Sequence, residues 1–294
     1  MNSIHKTVLL NEAIEGLNLD ASKVVIDATF GGGGHSKEIC KRYGGIKIIA
    51  IDQDASALTR GSELMKDCNV TFLNRNFREL EGMEADAILF DLGLSSDQLD
   101  NSGRGFSFLK NEPLLMTMKE NPSPEDVTAR DVVNTWEEKN LADIIFGYGE
   151  EKLSRKIARA IVEARGIHPI ETTFELVAII EDAVGKAYKR QRIHPATRTF
   201  QAIRIAVNNE LGTLTAGIQK GFALLKPGGR IAVISFHSLE DRIVKKFFKA
   251  KVDAGEGVLI NKKVITAGSE EIKNNSRSRS AKLRILEKTT AKAG

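Results

Sequence analysis

"VVIDATFGGGGHS", residues 24–36, is the stretch on which the fold turns. Residues 24–30 read as a buried strand, being β-branched and apolar around a single acidic position, Asp27. Four consecutive glycines follow, and a helix is expected to start near Ser36. Glycine lets the backbone turn sharply and approach a ligand with no Cβ in the way. In open α/β sheets, ligands bind just beyond the carboxyl ends of the strands, where this loop lies.

Working outward, short β-branched runs alternate with helical patterns, as in a parallel sheet covered by helices. Further strands are expected over 47–52, 70–74, 87–91 and 230–236, with two edge strands over 258–265 and 282–287. Helices are expected over 36–42, 55–66 and 214–225, and "KPGG" (226–229) ends the last of these and turns into a strand. Between about 105 and 198 the periodicity is helical, with sets such as Leu153, Ile157, Ala160, Ile161 and Ala164, or Phe174, Val177, Ala178 and Glu181. The expected architecture is an open, doubly wound, mostly parallel sheet of Rossmann-like type with an inserted all-α domain. Residues 1–104 and 199–294 make the sheet domain, and 105–198 the insert.

The loop itself speaks to its ligand. The dinucleotide fingerprint GxGxxG is met only in part: Gly31 and Gly33 fit, but Ser36 takes the third glycine position. Asp27 at the strand end weighs more. A carboxylate there repels a pyrophosphate and attracts a cation, which favours S-adenosylmethionine, with its sulfonium and ammonium, over NAD. Asp52 closes the second strand and can accept hydrogen bonds from both ribose hydroxyls of either cofactor. Phe77 is a candidate to pack beside adenine. Asp91 ends the fourth strand in "AILFDLGLSSDQLD", where catalytic groups of such sheets are expected. A carboxylate at this place can orient the cofactor's amino group. It can equally hydrogen-bond an exocyclic amine and take its departing proton. Amino-methyltransferases often carry D/N-P-P-Y/F here, and this chain has Asp-Leu-Gly-Leu instead.

Composition sets the outer bounds. The chain has 294 residues, 41% hydrophobic and 28% charged, which fits an ordinary globular protein with ample core. No apolar run approaches the ~18 residues of a membrane span, and the N-terminus lacks a signal-peptide pattern. A cytoplasmic location is therefore expected, with no membrane partner. Cys40 and Cys68 are expected to be inert core thiols in a reducing compartment, with neither disulfide nor metal site. Net charge is only +4, but residues 245–294 hold 13 Lys and Arg against 5 Asp and Glu. A second basic stretch, 183–209, carries Lys186, Lys189, Arg190, Arg192, Arg198 and Arg204 with no acid. Such clustering suits a phosphate-bearing partner or a solvated surface alike.

Seven motifs in order resemble one family. They are "HKTVLLNEAI" (5–14), "DATFGGGGHS" (27–36), "DLGLSSDQLD…RGFSF" (91–108), "YGEE" (148–151), "HPATRTFQAIRIAVNNEL" (194–211), "KPGGRIAVISFHSLEDRIVK" (226–245) and "RSAKLR" (279–284). The set resembles the bacterial RsmH (MraW) family of ribosomal RNA small subunit methyltransferases. The expected partner is 16S rRNA, within the small ribosomal subunit, and the expected state a monomer or homodimer; that resemblance implies a class I methyltransferase fold and N4-methylation of a cytidine in the decoding centre of 16S rRNA. It places cofactor contacts at Gly33, Gly34, His35, Asp52, Phe77, Asp91 and Gln98, and makes the insert a substrate-recognition domain. One segment departs from the pattern: the family's "PLDMRM" reads "PLLMTM" here, with Leu115 and Thr117 replacing an aspartate and an arginine.

Substrate-side candidates follow from position. Arg198 points away from the apolar arc of its helix and is expected to be free for phosphate, whereas Arg204 lies near that arc and calls for a buried carboxylate. His194 ends a loop before Pro195. Ser235 and His237 end a central strand, and His237 is a candidate to hold the target base. Ser238 is expected to cap the next helix with Asp241 as its box partner. Phe106 and Phe108, in a flexible-looking "SGRGFSF", are candidates to stack on a flipped-out base or to close over the cofactor. Two other function classes compete: an NAD-dependent oxidoreductase, opposed by Asp27, and a noncatalytic RNA-binding assembly factor.

Overall fold

The computed structural model describes residues 6–185, 188 and 193–289. They form two compact units, residues 1–95 with 211–294 and residues 96–210. The insert thus begins at Ser96 and ends at Glu210.

In the first unit the elements run α1 (Leu10–Gly16), β1 (Val24–Asp27), α2 (Gly34–Arg42), β2 (Lys47–Asp52), α3 (Ala55–Leu64), β3 (Val70–Asn74) and β4 (Ala85–Asp91). The second unit holds α4 (Ser96–Asp100), α5 (Ala129–Thr135), α6 (Glu138–Gly147), α7 (Ser154–Arg165), α8 (Thr173–Val184) and α9 (Ala196–Asn208). The chain then returns to the first unit through α10 (Glu210–Leu224), β5 (Leu225–Ser235), α11 (Ser238–Asp253), β6 (Gly257–Leu259), α12 (Ser269–Asn274) and β7 (Lys282–Lys288).

The strands make one seven-stranded sheet in the order β3-β2-β1-β4-β5-β7-β6. Pairings from β3 to β5 are parallel, and β7 runs antiparallel to both its neighbours. Strand order reverses between β1 and β4, which is where ligands of such sheets bind. Because side chains alternate along each strand, Val25, Ala87, Leu89 and Ala232 face one core with Ile39 and Ile14. Ile26, Ile88, Phe90 and Val233 face the other, with Leu214, Ile218, Phe222 and Phe248. Both faces are buried, which is why these strands read as near-continuous apolar runs. Each fully buried branched side chain contributes roughly 1.5–3 kcal/mol. The "KPGG" segment is a bulge inside β5: Ala85 pairs with Leu225 and Ala87 with Arg230, so the intervening residues loop out, with Gly228 at φ +79°. The far edge is shorter than expected, since β6 stops at Leu259 and only Ile265 bridges back to Leu283.

The two cysteines correct the sequence reading. Cys40 and Cys68 form a disulfide with Cα atoms 5.9 Å apart. Helix α2 carries Cys40 back over the sheet face that the turn after α3 also reaches, and a separation of 28 residues says nothing of that proximity.

The insert is helical, with one isolated bridge between Pro113 and Thr172. Capping boxes fix two starts, Thr128 with Asp131 for α5 and Thr172 with Glu175 for α8. Lys186, Lys189, Arg190 and Arg192 lie outside the described residues.

Candidate active site

Parallel strands deliver three carboxylates to one edge of the sheet: Asp27 ends β1, Asp52 ends β2 and Asp91 ends β4. Asp27 is 2% exposed and accepts hydrogen bonds from Ser36 Oγ at 2.6 Å and Thr29 N at 3.3 Å. Burial pushes its carboxyl up to about 6; those two bonds pull it down, and the nearby Asp52 adds to the rise. Asp52 is raised by burial too, opposed by Asp54 N (2.9 Å) and Gly31 N (2.8 Å), which donate to its two oxygens. Asp91 is held well above the ordinary carboxylate range by burial first, then by the charges of Asp27 and Glu240. Its backbone N donates to Thr29 Oγ1 at 2.6 Å, and its Oδ2 lies 3.5 Å from His35 Nδ1. Among the described residues its Oδ1 has no hydrogen-bond partner.

The glycine loop closes around these groups. Gly31 (φ +52°) and Gly33 (φ +72°) are left-handed, and Gly33 caps α2. A Cβ on Gly33 would sit 2.6 Å from the Phe30 ring, and one on Gly34 would collide with Thr7 Oγ1. Packing therefore demands these two, while a Cβ on Gly31 would meet nothing closer than 3.7 Å. His35, in the first turn of α2, is buried. Phe77 is half-buried, edge-on to Phe90 at 5.4 Å between centroids, and fills the space left by the missing side chain of Gly217. Gln98 lies on α4, in the other unit.

Several substrate-side expectations change. Ser235 is 2% exposed and donates to Lys282 O at 3.4 Å, so β7 takes up its hydroxyl. His237, not Ser238, caps α11: its Nδ1 accepts from Glu240 N at 3.4 Å while the Glu240 carboxylate accepts from His237 N and Phe236 N. Asp241 is not the box residue; it holds Arg284 (2.7 Å) and Lys282 (3.5 Å), which is what ties "LEDR" to "RSAKLR". Within the insert, Arg198 is not free for phosphate. Its guanidinium meets Tyr188 OH at 3.2 Å and Glu151 at 3.5 Å, and Glu151, fully buried, also receives Tyr188 OH at 2.6 Å. Arg204 finds its carboxylate in Glu210, bidentate at 2.7 and 2.8 Å. The "SGRGFSF" strap is tied rather than loose. Arg104 donates to the carbonyls of Thr117 and Met118, Phe106 is buried under that guanidinium, and Phe108 stacks on His194 at 4.7 Å. Thr117, standing where the family has arginine, is buried and donates to Lys119 O at 3.1 Å. Sequence reasoning gave no hydrogen-bonding role to Thr29, Ser36, Glu151 or Tyr188; Thr29 meets Asp91 62 residues on and Glu151 meets Tyr188 37 residues on, whereas Ser36 reaches back only nine residues to Asp27.

The donor set can be tested against a ligand. Buried carboxylates that raise one another's proton affinity, one with an unbonded oxygen, call for a cation and for hydroxyl donors. S-adenosylmethionine carries both, a sulfonium and ammonium on one side and a ribose diol on the other. Fold and site together define an S-adenosylmethionine-dependent methyltransferase of the Rossmann-like class. Residues 2–289 match the model of the MraW methylase family, and the chain belongs to that family. It is 46% identical to the ribosomal RNA small subunit methyltransferase H of Exiguobacterium sibiricum, over 97% of this chain and 98% of that one. The proteins of the same description from Clostridium botulinum (46%, covering 97% and 98%) and Paenibacillus sp. (43%, covering 97% and 99%) are similar throughout.

Proposed function

We propose that this enzyme methylates the N4 amine of a cytidine in the decoding centre of 16S rRNA, in the cytoplasm, within the small ribosomal subunit. Asp27 holds the cationic end of the methyl donor, Asp52 the ribose hydroxyls, and Gly31, Gly33, Gly34 and His35 form the wall between them. Phe77 completes the nucleoside side. When bound, S-adenosylmethionine supplies a methyl group made electrophilic by its sulfonium.

The chain's own part is alignment and proton handling. The lone pair of an exocyclic cytosine nitrogen is delocalised into the ring, so the free amine is a poor nucleophile. Asp91, accepting one of its N–H bonds, localises that pair and takes the proton released as the N–C bond forms. The single observation that carries this reading is the half-buried Asp91 carboxylate, whose buried Oδ1 is unbonded among the described residues and whose proton affinity is raised. His237 is a helix cap, and its part in holding the base is a positioning one. Lys245 and Lys246, exposed on α11, add positive surface for RNA.

The test uses small subunits and naked 16S rRNA from cells lacking this chain, incubated with methyl-labelled donor and mapped by mass spectrometry. One N4-methylated cytidine at a single position is expected. Label on a ring carbon, a ribose or scattered sites would overturn the assignment.

A further inference from the structure

The helical insert holds a pocket of about 600 Å³ that the methyl-transfer chemistry does not use. Its size falls within the range of about 300–1,000 Å³ typical of ligand sites. One face of α6 makes its floor: Glu137, Asn140, Ile144 and Tyr148 recur at helical spacing, with Asp143 beside them. Trp136, at the end of α5, closes one side. Trp136, Ile144 and Tyr148 are half-buried, so two aromatic rings and one aliphatic side chain line the pocket. Glu137, Asn140 and Asp143 are exposed at the rim. Among the described residues no lysine or arginine lines the pocket, and neither the Glu137 nor the Asp143 carboxylate has an ion-pair or hydrogen-bond partner.

These surroundings select a ligand by elimination. Two unpaired carboxylates repel a phosphate, so a nucleotide is disfavoured although the rest of the chain is basic. A purely apolar group would use the rings but neither carboxylate nor the Asn140 amide, which stay hydrated at the rim. A guanidinium satisfies every wall at once: it is planar and stacks on Trp and Tyr faces, and its fork of N–H donors matches carboxylates. A lysine ammonium, compact and strongly hydrated, matches the charge but has no planar face to lay on Trp136 or Tyr148. The geometry points to a docking site for an arginine side chain presented by a basic protein segment. The site is distinct from the strand-end carboxylates and stands whether or not the assigned nucleobase is correct.

Trp136 is the only tryptophan in the chain, so its fluorescence reports on this pocket in the unmodified protein. The experiment titrates the full chain with a capped Gly-Arg-Gly peptide and with its lysine and citrulline counterparts. Cytidine monophosphate is the fourth arm, and isothermal calorimetry runs in parallel. Saturable binding of the arginine peptide is expected, with citrulline, which keeps the shape and removes the charge, at least about tenfold weaker. Glu137→Gln and Asp143→Asn, both at exposed positions, should each weaken the arginine peptide about tenfold and leave the circular dichroism unchanged. Tighter binding of the nucleotide, equal binding of citrulline, or no saturation by either method at millimolar peptide would each overturn the proposal. Methyl transfer is not the readout, so failure here and failure of the proposed reaction are separable.

Discussion

His35 Nδ1 stands 3.5 Å from Asp91 Oδ2, so the first turn of α2 and the end of β4 meet at a carboxylate beside the point where strand order reverses. That carboxylate is also where like charge accumulates, since Asp27 and Glu240 both raise its proton affinity. Asp91→Asn keeps the shape, relieves the repulsion and removes the proton acceptor. Single-turnover methyl transfer should fall by about 10²–10⁴-fold, while the melting temperature of the ligand-free protein holds or rises. Turnover near that of the parent would remove Asp91 from the reaction.

Asp27 gives a pH dependence with a definite sign. Its carboxyl titrates near 6 in the folded chain against 3.8 for the ordinary group. Between those values the folded state keeps a proton that the unfolded state has lost, so stability falls as pH rises and levels off above about 6. The full difference is about 3 kcal/mol. Asp27→Asn should flatten this slope, stabilising the ligand-free protein at pH 8 while weakening the methyl donor. Urea unfolding at pH 5 and pH 8 measures it, and a parent chain that gains stability across this interval would contradict the assignment. Affinity of the parent for the donor should also fall as pH drops below about 6, by up to about tenfold per pH step, as the carboxylate takes up a proton.

Arg198 separates structure from RNA contact. It is one of three donors to the fully buried Glu151, beside Tyr188 OH and Leu153 N. Arg198→Ala should cost about 1–3 kcal/mol of stability, because a buried acceptor loses a partner. Thermal unfolding of the variant in the absence of RNA checks this. An unchanged melting temperature with a weakened RNA affinity would restore the phosphate role.

Cys40 and Cys68 close a loop 28 residues apart in sequence. On chain entropy, opening it should cost roughly 3–4 kcal/mol. The parent should melt lower in reductant, and Cys40→Ser should melt at that lower temperature with or without it. Identical curves in both conditions would show that the bond does not form in solution.

The sheet was legible from its β-branched and apolar runs: β2, buried on both faces, and the half-exposed edge strand β3 have the bounds read from 47–52 and 70–74. The glycine loop, Asp27, Asp52 and Asp91 were legible for a related reason, since polar residues that end apolar strands must converge on one edge. What could not be read was proximity set by topology. The Cys40–Cys68 pair, the Glu151–Tyr188–Arg198 network and the Asp241–Arg284 ion pair each join segments whose spacing carries no signal. The cap of α11 was missed by one residue because His237, rarely a capping side chain, competes with a good capper in Ser238. The "SGRGFSF" strap looked mobile from its glycines, yet the buried guanidinium of Arg104 ties it to the carbonyls of Thr117 and Met118.

The most direct measurement is calorimetric titration of the intact chain with S-adenosylmethionine and with its neutral demethylated product, repeated on Asp27→Asn. Acidic strand ends that recognise a positive sulfur should bind the donor saturably and lose affinity for it when Asp27 is neutralised, with a smaller loss for the uncharged product. Absence of heat with both compounds, or a variant that binds the donor as tightly as the parent, would contradict it.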